Sequence, residues 1–184
     1  MKKPTFRQIM IGTAVFSGVL TLALVLGYQL SPDKWLLSAA ITCGTICYHF
    51  TMRLLVGAAV PASFDHRTKW FQPRKWEAAL YRHLRLSRWK RRMPTYDPRK
   101  FSVTENTPKQ LIANMCQAEV VHEVISLFSF VPVAFSAVWD SFGVFFVTST
   151  LAAALDLTFV MLQRYNRPRL VRILEKQKGV SIHD

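Results

Sequence analysis

Polarity along this chain is segregated into long blocks rather than alternating within short ones. Residues 8–30 carry no charged side chain over 23 positions, and residues 36–60 are interrupted by basic side chains only at His49 and Arg53. Residues 111–138 and 142–163 are again largely apolar, whereas 61–110 is dense in Arg, Lys and aromatic residues. A helix crosses the hydrocarbon core of a bilayer with about 20 apolar residues, so each of the four runs is long enough. The pattern predicts an all-α integral membrane protein. It has four transmembrane helices in a single membrane domain over 1–184, with a basic amphipathic interfacial segment, 61–110, between the second and third. The first run follows Lys2, Lys3 and Arg7, as a signal peptide would. It exceeds the usual apolar region of about 7–15 residues and lacks a convincing cleavage site, so it is read as a retained span.

Inside the basic segment, Pro73 and Pro94 are placed to open and close a helix over about 73–92. Trp76, Leu80 and Leu84 then share one face, and Lys75, Arg82, Arg85, Arg88, Arg91 and Arg92 occupy much of the rest. Such a helix lies in the headgroup plane, where Trp76, Trp89 and Lys90 can roof a membrane-embedded site and hold substrate. Pro132 is expected to bend the third span.

Counting Lys and Arg outside the spans orients the chain. Three precede the first span, only Lys34 follows it, thirteen lie in 61–110, none lies in 139–141 and six follow Gln163. This alternation predicts both termini on the cytoplasmic side, with Trp35 and Trp139 at the outer turns. The formal net charge of +13 therefore needs no nucleic acid: juxtamembrane cations are drawn to anionic lipid at about 1 kcal/mol each. Cys43, Cys47 and Cys116 all fall in spans, where two thiols on one face make a poor metal or disulfide motif.

Ionisable groups within the spans are the candidates for chemistry, because a charge at the middle of a spanning helix costs about 2.5–3.5 kcal/mol on insertion scales. Cys116, Glu119, His122, Glu123 and Ser126 step by three or four residues and line one helical face. Glu119 lies about 12 Å deep at 1.5 Å per residue. Asp156 lies at a similar depth, and His49 and Arg53 share a face of the second span. A carboxylate beside a histidine orients and polarises the ring as a general base for a hydroxyl. His122 is the preferred base, with Glu119 or Glu123 orienting it and His49 in reserve. Arg53 and Asp156 line the substrate site. Arg164, Asn166, Arg167 and Arg169, where the fourth span exits, suit a headgroup or a donor phosphate. Two other classes fit parts of the pattern. One is a small transporter or flippase using buried carboxylates, although no inverted repeat or broken helix pair is visible. The other is a b-type haem protein with His49 and His122 as axial ligands.

Several stretches together carry a resemblance. They are YHFTMRLLVG (48–57), WFQPRKWEAALYR (70–82), RWK (88–90) with MP (93–94), AEVVHEV (118–124) and QRYNRPRL (163–170). In order and spacing they resemble the glycosyl-diaponeurosporenoate acyltransferases, small integral membrane enzymes of bacterial carotenoid synthesis. The resemblance implies esterification of a sugar hydroxyl on a glycosylated lipid by a fatty acyl group. It also implies a lipid-linked acceptor and an acyl donor such as acyl-CoA as co-substrate, with no other cofactor and no metal.

Overall fold

The computed structural model describes residues 4–89, 93, 97–139 and 142–180. Helix α1 spans Phe6–Leu30 and α2 spans Lys34–Ala59. Thr5 caps α1 in a reciprocal box with Gln8, and the Asp33 carboxylate accepts from Trp35 N–H at the start of α2, so both helix starts satisfy donors that a helix leaves orphaned. The two pack closely along small residues. A Cβ added at Gly18 would stand 3.2 Å from Cys47 Sγ, and the Cys47 thiol reaches Ala14 O at 3.4 Å. Small side chains allow this approach where lipid supplies no hydrophobic drive between helices. Phe16, Leu22 and Leu26 of α1 point outward, as a lipid-facing helix requires.

The second pair is α5, Pro108–Phe128, against α8, Phe142–Val180. Thr107 caps α5 in a box with Gln110, with Pro108 in the first turn. Between them lie α6, Val131–Ala134, and α7, Ser136–Trp139. The third span therefore does not run unbroken over 111–138. Pro132 has no N–H to give the carbonyl of Phe128, and the Tyr48 hydroxyl donates to that carbonyl instead, at 2.8 Å. Helix α8, with 39 residues, is about 58 Å long at 1.5 Å per residue. It continues well past residue 163 and through Pro168, and its length is roughly twice a hydrocarbon core of about 30 Å.

Four stretches are long and apolar enough to span a bilayer: Phe6–Leu30, Lys34–Ala59, Pro108–Ala134 and Phe142–Lys176. No strand occurs among the described residues, so the all-helical, four-span class holds.

The connecting segment departs from expectation. In place of one helix over 73–92, it forms a 3₁₀ turn at Lys69–Phe71, α3 at Glu77–His83 and α4 at Leu86–Trp89. The break is at Arg85, whose φ of 49° is left-handed, a region non-glycine residues enter at a cost. The turn drives Leu86 fully inward, where it packs with Tyr81 and Leu162. The buried face is thus Glu77, Tyr81 and Leu86, while Trp76 and Leu84 of the expected apolar face are exposed. Lys90 lies outside the described residues. Trp89 closes α4, and only its backbone is described.

Candidate active site

Three spanning helices meet at one carboxylate. Asp156 of α8 is buried, with Oδ1 2.9 Å from His122 Nδ1 of α5 and Oδ2 paired to Arg53 of α2. Arg53 also donates to His49 O, one turn back on its own helix, at 3.1 Å. An ionised carboxylate only accepts, so it selects the imidazole tautomer with hydrogen on Nδ1 and leaves a lone pair on Nε2. Phe159 stacks on the His122 ring at 4.7 Å between centroids and 15° between planes, which holds its orientation. The His122 side chain keeps 23% of its surface exposed, so the ring is held but reachable. Ser126, one turn along α5, donates to Ala153 O at 3.4 Å and ties the same two helices together.

Sequence spacing suggested Glu119 or Glu123 as the partner of His122. The structure places Asp156 there, and both glutamates are turned to other groups. Glu119 has no exposed surface. Its Oε1 accepts from Arg164 Nη1 at 2.5 Å and its Oε2 from Arg167 Nη1. Arg164 also donates to Glu77 Oε1 at 2.8 Å, and to Trp70 O and Gln72 O at 3.0 Å each. Arg167 donates to Phe71 O at 2.5 Å, reaches Cys116 Sγ at 3.8 Å and lies over the Phe71 ring. Two arginines and two carboxylates balance in charge, and the surplus donors close off the carbonyls of residues 70–72. The effect is to staple the connecting segment onto α5 and α8. Every nitrogen of the Arg164 guanidinium is engaged within the protein, leaving it none for a donor phosphate.

Glu123 accepts from Trp70 Nε1 at 3.0 Å. The pair stands in a mostly apolar groove of about 520 Å³ between residues 63–71 and Val120, Val124 and Leu127 of α5. Both ring nitrogens of His49 are buried without a hydrogen-bond partner among the described residues. Of the remaining expected substrate residues, Trp76 is exposed on the connecting segment. Arg169 is exposed and lies over the Tyr165 ring, donating to its hydroxyl at 2.7 Å, and Asn166 is half-buried on α8. Glu77 and Trp70 are parts of this architecture that the sequence reading passed over. Glu77 did carry a signal, as the lone acid between Asp65 and Asp97 in a stretch rich in cations.

Fold and site together define a multi-pass membrane protein with a histidine–carboxylate pair held between its spans. A model of the glycosyl-4,4'-diaponeurosporenoate acyltransferase family matches residues 67–176, more than half of the chain, and the chain belongs to that family. It is an acyltransferase. The matched stretch holds His122, Asp156 and the whole Glu119 cluster, while His49 and Arg53 precede it. No curated protein and no solved structure matches the chain.

Proposed function

We propose that this enzyme moves a fatty acyl group from a thioester donor to a hydroxyl of a lipid-linked glycoside, with His122 as general base. The observation that carries this reading is the 2.9 Å contact of His122 Nδ1 with Asp156 Oδ1. Nε2 takes the proton of the acceptor hydroxyl as its oxygen attacks the thioester carbonyl. The tetrahedral intermediate collapses with cleavage of the C–S bond, and the imidazolium returns the proton to the departing thiolate. An ester and a free thiol result, and the enzyme is unchanged. Asp156 stabilises the imidazolium, and Arg53 compensates the carboxylate's charge in a setting of low dielectric. The groove beside Glu123 suits an acyl or lipid chain lying along α5. By the Lys and Arg count, both termini and the connecting segment face the cytoplasm, so the site opens toward the inner leaflet; the resemblance to enzymes of bacterial carotenoid synthesis supports a bacterial inner membrane.

The test is His122→Ala in the purified, lipid-reconstituted enzyme with a labelled acyl-CoA and a glycolipid acceptor. Loss of a general base lowers turnover by about 10²–10⁴-fold, while the detergent melting temperature should stay near that of the parent. Full turnover in well-folded His122→Ala removes the residue from the mechanism. A dead His49→Ala beside it would move the base to α2.

A further inference from the structure

Four arginines of the connecting segment converge on one concavity. Arg74, Arg82, Arg85 and Arg88 line a cleft of about 420 Å³ between α3–α4 and the wall formed by Arg164, Tyr165 and Pro168 of α8. All four are exposed, and among the described residues none is paired with a carboxylate. The acid in the lining is Glu77, whose Oε1 is bound to Arg164. Ordinary juxtamembrane charge would be scattered over the surface rather than gathered around a hollow. Here the left-handed backbone at Arg85 breaks the helix and brings residues on both sides of the break to the same cleft. The Glu77–Arg164–Glu119 staple holds the floor.

We infer that this cleft binds the phosphates of a nucleotide-bearing acyl thioester donor, resting on the acyl-transfer reading above. Guanidinium groups suit phosphate because their planar forks donate in pairs. Position supports the assignment. Arg164 lies eight residues along α8 from Asp156, about 12 Å at 1.5 Å per residue, so one helix carries both the wall of the cleft and the carboxylate that holds the base. A donor with phosphates at one end and a thioester at the other would keep its charge at the water side and present its acyl carbon to His122. The donor-phosphate role expected of Arg164 and Arg167 passes to Arg74, Arg82, Arg85 and Arg88, because the former two are consumed by Glu119 and Glu77.

The experiment separates binding from chemistry. Purified enzyme in neutral detergent is titrated with coenzyme A, which carries no acyl group, by calorimetry. Saturable binding is expected, weakened about tenfold or more in R82A/R85A and partly recovered in R82K/R85K, since charge-assisted contacts contribute at that scale. In turnover, the parent's preference for acyl-coenzyme A over a phosphate-free acyl-N-acetylcysteamine thioester should collapse in R82A/R85A. Coenzyme A binding that is indifferent to these arginines overturns the assignment. So does a variant that loses only its affinity for vesicles containing phosphatidylglycerol, since the cleft would then be a lipid-headgroup site. A turnover-dead enzyme that still binds coenzyme A through the cleft would instead sink the acyl-transfer reading and leave the cleft standing.

Discussion

Glu119→Gln keeps the shape of a fully buried side chain and removes its charge, which makes it a clean probe of the staple. In the parent, Arg164 and Arg167 face Glu119 and Glu77, two charges against two. In the variant, Glu77 still compensates Arg164. Arg167, only 3% exposed, is left with Phe71 O, the Phe71 ring and the Cys116 sulfur. Breaking a buried pair by removing one partner costs about 3–5 kcal/mol. The glutamine carbonyl still accepts one hydrogen bond, so the lower end, about 3 kcal/mol, is expected. Unfolding in mixed detergent micelles, followed by circular dichroism, measures the loss. Adding Arg167→Met to Glu119→Gln should restore part of it, because the uncompensated charge is gone; the double-mutant cycle isolates that coupling. A Glu119→Gln protein that unfolds like the parent yet has lost turnover would refute this reasoning. Glu119 would then be a catalytic carboxylate, as its spacing from His122 suggested.

Asp156→Asn should lower turnover about 10²–10⁴-fold, since an amide no longer selects the His122 tautomer or stabilises the imidazolium. Its stability loss should be smaller than that of Glu119→Gln, because Arg53 is 16% exposed and keeps its bond to His49 O, whereas Arg167 is only 3% exposed; unimpaired turnover would separate the pair from the mechanism. Burial, and next the charge of Glu77, push the Tyr81 hydroxyl up to about 12 from an ordinary 10.0. A raised folded-state value means stability that is complete below about pH 10 and is lost as pH rises toward 12. Melting scans across that window should show an alkaline decline that Tyr81→Phe flattens, and an unchanged decline would place its origin elsewhere. A cysteine introduced at Ser31 should react with an impermeant thiol reagent added outside intact cells, and one at Ser102 should not. The reverse pattern would invert the orientation and move the site to the outer leaflet.

Much of this architecture is local and therefore legible along the chain. Four apolar runs predict four spans because a bilayer leaves the backbone few ways to cross other than as helices. The Thr107–Gln110 capping box is readable four residues at a time. So is the stripe from Cys116 to Ser126, because the helical repeat places residues three and four apart on one face. Other decisions are made across the fold. Spacing cannot show which helix that stripe meets. Glu119 and His122 sit one turn apart, yet one faces Arg164 and Arg167 and the other faces Asp156, 34 residues away. The break at Arg85 was likewise invisible, since a strained arginine persists only where the rest of the fold holds it, here by burying Leu86 against Tyr81 and Leu162. Glu77 turns inward although Trp76 and Ala78 beside it are exposed, because a buried guanidinium on α8 needs a counter-charge. Apolar runs thus determined which groups lie within the spans and periodicity which of them share a face, while tertiary packing decided which became partners, because a buried charge must be compensated by whatever the packed helices bring within reach.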